Sequence, residues 1–147
     1  MQRMANMHTQ RWQRAKLRVG YGHLYQSRFK SFPIESDEHF YAVVRYVERN
    51  ALRAGLVQRG EDWPWGSLHQ RACKGDGPPL GDWPLPQPSD WTEYVNTPQT
   101  KAELEAIRRC VRRGSPYGST VWTEQTAEQL GLQSTLRRLG RPRKEPA

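Results

Sequence analysis

Tyr46 and Asn50 lie four residues apart in the stretch Arg45-Tyr46-Val47-Glu48-Arg49-Asn50-Ala51-Leu52-Arg53-Ala54-Gly55-Leu56-Val57. On a helix, that spacing sets two side chains one above the other on the same side. A tyrosine hydroxyl can attack a phosphodiester, and the phosphotyrosine link conserves the energy of the cut strand for rejoining. A free phenol ionises only near pH ~10, so such a group needs a cation or a metal beside it. The amide oxygen of Asn50 is a hard ligand suited to Mg²⁺ or Mn²⁺. Arg45, Arg49 and Arg53 recur every fourth residue and are candidates for phosphate contact. The same spacing also suits a half-buried packing tyrosine and an asparagine at a helix end. On spacing alone both readings stay open.

The partners that a metal-assisted tyrosine would need are not in the sequence. His8, His23, His39 and His69 are scattered, and none has a second histidine two residues on. They read as ordinary surface or core residues. Cys73 and Cys110 are far apart, with no Cys-x-x-Cys spacing, and a structural zinc site takes about four ligands. Two cysteines do not make a disulfide framework, so a reducing, cytoplasmic setting is the default expectation.

The 147 residues suffice for about one domain. The hydrophobic share of 35% and the mean hydropathy of −0.93 predict a modest core and long exposed segments. Six tryptophans compensate in part, because each buries a large area. The net charge of +8 is unevenly placed: residues 1–34 hold seven basic and no acidic side chains, residues 35–100 are mildly acidic, and residues 101–147 are basic again. Segregated positive charge attracts polyanions through counterion release, and nucleic acid is the commonest of these. No apolar run approaches the ~20 residues of a membrane span. The N-terminus has no apolar segment of the signal-peptide kind.

The elements that must position these residues can be read coarsely. Residues 1–18 read as a helix with Met4, Met7, Trp12 and Ala15 along one side. It begins without a cap, as if earlier residues were missing. Residues 23–34 read as an extended, aromatic-rich strand ending near Pro33, and a lone strand needs partners from elsewhere. Ser36 caps a helix from about Asp37 to Asn50, with Asp37 and Glu38 favouring its N-terminus. Its predicted buried face is Phe40, Val43, Val44, Val47, Ala51 and Ala54, with Gly55 as the stop. Trp63 and Trp65 are expected to pack back on this helix. Residues 74–98 are dominated by Gly and Pro and read as an irregular wrap anchored by Trp83 and Trp91. A helix from Pro98 to near Gly114 carries Leu104, Ile107 and Val111 on one face and an arginine-rich end. Glu124–Leu130, closed by Gly131, and Gln133–Arg138 read as two short helices, poor in apolar content for a helix-turn-helix.

Two further segments suit nucleic acid. Arg28 and Lys30 alternate with Tyr25 and Phe29, a pattern in which phosphates meet cations and bases stack on rings; a strand with its cations simply in water fits equally well. Gly140-Arg141-Pro142-Arg143-Lys144 is similar to an AT-hook core, whose arginines enter a narrow minor groove. A generic phosphate-binding tail is the alternative reading of Arg141, Arg143 and Lys144.

Residues from about 19 to 70 resemble the REP-associated tyrosine transposases, relatives of the single-tyrosine HUH transposases. The likeness rests on three stretches in order: Gly22-His23-Leu24-Tyr25-Gln26-Ser27-Arg28-Phe29-Lys30-Ser31-Phe32-Pro33, the Arg45–Val57 stretch, and Asp62-Trp63-Pro64-Trp65-Gly66-Ser67-Leu68. The resemblance implies an α+β, ferredoxin-like domain around an antiparallel sheet, here partial, mostly helical and with little sheet. It implies Tyr46 as nucleophile, Asn50 as a metal-side residue, Mg²⁺ or Mn²⁺ as cofactor, and single-stranded DNA hairpin repeats as partner. Where the family has Asn-Pro, this chain has Asn50-Ala51. The family's His-hydrophobic-His pair would lie before position 1. The expected organisation is residues 1–72 as the C-terminal part of the catalytic domain, 73–100 as a connecting segment and 101–147 as a basic helical extension. The expected function is transposase-like DNA binding, with strand cleavage and joining as the parent chemistry, in a cytoplasmic, nucleoid-associated protein. A non-catalytic DNA-binding remnant is the alternative.

Overall fold

The computed structural model describes residues 2–20, 24–25, 30–73 and 77–137. The chain divides into two compact units, Met1–Ser31 and Phe32–Ala147.

The first unit is built on α1 (Gln2–Ala15). The Thr9 hydroxyl donates to the Ala5 carbonyl at 2.8 Å, and the Tyr25 hydroxyl meets His8 Nδ1 at 2.8 Å. The apolar side expected here is only partly covered: Met4 is 69% exposed, whereas Trp12 is half-buried. Leu17 takes a left-handed conformation (φ 51°), which ends the helix before Gly20.

The second unit is helix-rich: α2 (Asp37–Glu48), α3 (Asn50–Arg53), a 3₁₀ turn (Gly60–Asp62), α4 (Ser67–Cys73), α5 (Trp91–Asn96), α6 (Lys101–Arg113), α7 (Thr120–Gln129) and α8 (Gln133–Leu136). The strand expected over residues 23–34 is reduced, among the described residues, to a single parallel bridge between Ile34 and Tyr117. Residues 21–23 and 26–29, with Arg28 among them, lie outside the described residues.

Local signals set most helix ends. Ser36 is extended at the N-cap of α2, with Asp37 and Glu38 in the first turn. Its hydroxyl meets His39 Nδ1 at 2.7 Å rather than the helix backbone. Gly55 (φ 70°) ends α3: its N–H donates to the Leu52 carbonyl and that of Leu56 to the Ala51 carbonyl, both at 3.0 Å. These two bonds form a Schellman motif, which places the αL residue where glycine has no Cβ penalty. Thr100 caps α6 by accepting from the Glu103 N–H at 3.2 Å, and Gly114 closes that helix. Ser119 caps α7, which starts at Thr120, four residues before the expected Glu124.

The core gathers Leu68, Trp91 and Val95, flanked by Tyr41, Val44 and Trp83. Trp91 is 1% exposed and meets Trp83 edge to face at 4.9 Å. Removing a ring of this size from water contributes on the order of 4–6 kcal/mol. The Gly/Pro wrap is held by this cluster and by the Tyr41 hydroxyl, which donates to the Pro86 carbonyl at 2.6 Å. A second buried set, Ile107, Cys110 and Ala127, lies along α6 and α7.

Two packing expectations are corrected. On α2, Val47 is 56% exposed and Ala54 beyond it is exposed, whereas Arg45 is 5% exposed. The buried side is therefore rotated toward Tyr41, Val44 and Arg45, because α5 ends in carbonyls that arginines can fill. Trp65 is 84% exposed rather than packed on the helix.

Candidate functional site

Tyr46 and Asn50 are brought together, although α2 and α3 are not one continuous helix. The break falls at Arg49 (ψ −2°), and Asn50 begins the next turn. Arg53 bridges them. Its guanidinium carbon lies 4.3 Å from the centre of the Tyr46 ring, a cation–π contact. One Nη donates to Asn50 Oδ1, and the other lies 3.5 Å from the Tyr46 carbonyl. Tyr46 is half-buried and Asn50 exposed. Among the described residues the Tyr46 hydroxyl has no hydrogen-bond partner.

Arg45 and Arg49, read from the sequence as phosphate contacts, are engaged inside the fold. Arg45 Nη2 donates to the Thr97 carbonyl at 2.6 Å, and its plane stacks 4.1 Å from the Tyr94 ring centre. Glu103 lies 3.8 Å from its other Nη. Arg49 Nη1 donates to the carbonyls of Val95 (2.8 Å) and Asn96 (2.5 Å). The last carbonyls of a helix have no partner within it and carry partial negative charge. The two arginines thus terminate α5. Burial, then the charges of Arg45 and Arg53, hold the Arg49 pKa below the ordinary arginine value. Arg53 alone of the three stands against Tyr46.

The surrounding scaffold is tied through Glu48. Its Oε1 accepts from the Ser67 hydroxyl at 2.6 Å and its Oε2 from the Trp91 indole N–H at 2.7 Å. Asn96 accepts from the Gly60 N–H at 2.9 Å and donates to Glu61 Oε2 at 2.8 Å. These bonds fix α5 against α2 and the 3₁₀ turn. Nothing in the one-dimensional pattern marked Glu48 or Asn96, because each bridges residues 19 to 43 positions away.

Among the described residues, those around Asn50 do not fit a divalent cation. Asn50 Oδ1 already accepts from the Arg53 guanidinium, and a cation at that oxygen would face a second positive charge. Among the described residues no three His, Cys, Asp or Glu side chains converge. His8 pairs with Tyr25, His39 with Ser36, and His69 Nδ1 meets the Glu61 carbonyl at 2.6 Å. Cys73 is exposed and Cys110 buried, both free thiols.

Lys30 is exposed. Arg28, Arg141, Arg143 and Lys144 lie outside the described residues. The α7–α8 pair turns at Gly131 (φ 66°), but α8 is four residues long, less than a recognition helix needs to cross a major groove. Among the described residues no helix is long and apolar enough to cross a membrane. No family model, curated protein or solved structure matches the chain.

Proposed function

We propose that this chain is a transposase-like DNA-binding protein of the REP-associated tyrosine type, whose parent chemistry is cleavage and joining of single-stranded DNA through Tyr46. The observation that carries the reading is the Arg53 guanidinium stacked 4.3 Å from the Tyr46 ring. It puts a positive charge over the ring that carries the unpartnered hydroxyl. The N–H donors that Arg53 does not spend on Asn50 and the Tyr46 carbonyl are the groups that would hold a phosphodiester on this side of the fold. The ordered motifs around residues 22–33, 45–57 and 62–68 supply the family expectation, including the ferredoxin-like α+β parent fold. The exposed Trp65 offers a face on which a base can stack.

A second reading, a non-catalytic DNA-binding remnant, is favoured by the engagement of Asn50 with Arg53. In the parent chemistry Mg²⁺ or Mn²⁺ polarises the scissile phosphate when bound, and among the described residues no three metal-ligating side chains converge. Binding rests on Arg53 and the strongly basic ends.

The test uses a hairpin oligonucleotide with a single-stranded flank. Salt-sensitive binding is expected, unchanged in Tyr46→Phe. A Tyr46-dependent, denaturant-resistant protein–DNA adduct in Mg²⁺ or Mn²⁺ selects the catalytic reading. Binding without an adduct selects the remnant. Absence of binding at low salt overturns both.

A further inference from the structure

The basic end of α6 faces α8 across an open cleft of about 510 Å³, lined by Arg109, Arg112, Arg113, Ser134 and Thr135. The three arginines are spaced three and four apart, so they share one side of the helix. Their roles differ. Arg113 donates to the carbonyls of Thr135 and Arg137 and holds α8 in place as the opposite wall. The Thr135 hydroxyl donates to the Leu132 carbonyl at 2.6 Å. Arg109, Arg112 and Ser134 are exposed, and among the described residues they have no hydrogen-bond or ion-pair partner. Even Glu105, placed four residues before Arg109 where a helix pair would form, makes no ion pair there.

Arginines in a last helical turn are favoured by the helix dipole alone. The dipole does not account for a second helix, fixed by Arg113, that brings a free hydroxyl to the same opening. The cleft presents two unengaged guanidinium groups and one hydroxyl, with no carboxylate among its lining residues. That chemistry takes anionic oxygens. The opening lies in the basic C-terminal third of the sequence.

We propose that this cleft binds the phosphodiester backbone of nucleic acid, with Arg109 and Arg112 on phosphate oxygens and Ser134 as an additional donor. The proposal rests on the DNA-binding reading and gives it a contact surface separate from the Tyr46 residues. Contacts of this kind position a strand without reading its bases.

The experiment uses the full chain and a fluorescent hairpin DNA in EDTA, which removes any cleavage from the readout. Affinity is measured across a salt series for the wild type, for Arg109→Gln/Arg112→Gln, and for Lys101→Gln/Arg108→Gln. The last pair removes the same charge from exposed positions of the same helix outside the cleft. The slope of log K against log salt is expected to fall by about 1.4–1.8 for the cleft pair, about 0.7–0.9 per lost phosphate contact, and by less than half of that for the control pair. Equal losses in the two pairs, or no loss in the cleft pair, overturn the proposal while leaving DNA binding itself standing. A wild type that does not bind overturns both. Unchanged thermal melts in both variants, expected because the replaced side chains are exposed, exclude unfolding as the cause.

Discussion

Arg45 Nη2 lies 2.6 Å from the Thr97 carbonyl, 52 residues away in sequence. A buried guanidinium is unusual and survives only when paired. Here it fills the end of α5, stacks on Tyr94 and faces Glu103. Arg45→Ala is expected to destabilise the chain by about 1.5–3 kcal/mol, the range for hydrogen bonds to charged groups. Arg45→Lys is expected to recover little, because an ammonium cannot both stack and reach the carbonyl. Urea unfolding midpoints measure both. A midpoint unmoved by Arg45→Ala would show that this arginine does not hold α5.

The Glu48–Trp91 bond carries a second prediction. Trp91 is the largest fully buried side chain, and its indole N–H has Glu48 as acceptor. Trp91→Ala is expected to cost about 3–5 kcal/mol. Glu48→Ala leaves the indole N–H and the Ser67 hydroxyl without their acceptor, at about 1–3 kcal/mol. The double variant should cost less than the sum, since the two residues share one bond. Additive losses would mean that the bond contributes nothing.

What could be read in advance was local. Ser36 with Asp37 and Glu38, and Gly55, Gly114 and Gly131, marked helix ends because capping is decided within a few residues. The rotation of α2 was not legible. Whether Val47 or Arg45 turns inward depends on where α5 places its carbonyls, and no periodicity within α2 encodes that. Helix α5 itself was hidden: it is six residues long, in a stretch rich in Gly and Pro. At the site, the Tyr46–Asn50 spacing was visible. That Arg53 alone would reach Tyr46 was not, because the three arginines are identical in sequence and differ only in what they meet. The arginines of α6 looked like dipole partners until α8 appeared opposite them.

Glu35 ties residue 35 to the start of α7. Its carboxylate accepts from the Ser119 N–H at 2.5 Å and from the Ser119 hydroxyl at 2.9 Å, with His39 at 3.9 Å. The Ser119 backbone bond, against a smaller opposing effect of desolvation, and then the Ser119 hydroxyl and His39 hold its pKa below the usual 4.5. A folded-state pKa below the unfolded one contributes stability that is present above about pH 4.5 and is lost as pH falls through the folded value. Unfolding midpoints should therefore drop below pH ~4.5, and Glu35→Gln should flatten part of that drop. An identical pH profile in the variant would show that the carboxylate does not clamp α7. Glu61, its pKa also lowered, accounts for some of what remains.

Tyr46 separates folding from function. Among the described residues its hydroxyl has no partner, so Tyr46→Phe is expected to leave stability within about 0.5 kcal/mol of wild type. Tyr46→Ala should cost more, because it removes the ring that Arg53 covers; the cation–π contact itself is worth about 0.5–1 kcal/mol at such a site. Arg53→Ala should be comparably mild for folding, yet it should weaken binding of the hairpin oligonucleotide and reduce the salt slope by about one contact. Thermal melts and fluorescence anisotropy on the same three variants give both quantities. A Tyr46→Phe protein that unfolds readily would mean that the hydroxyl serves the fold, and the site would lose its strongest claim to chemistry.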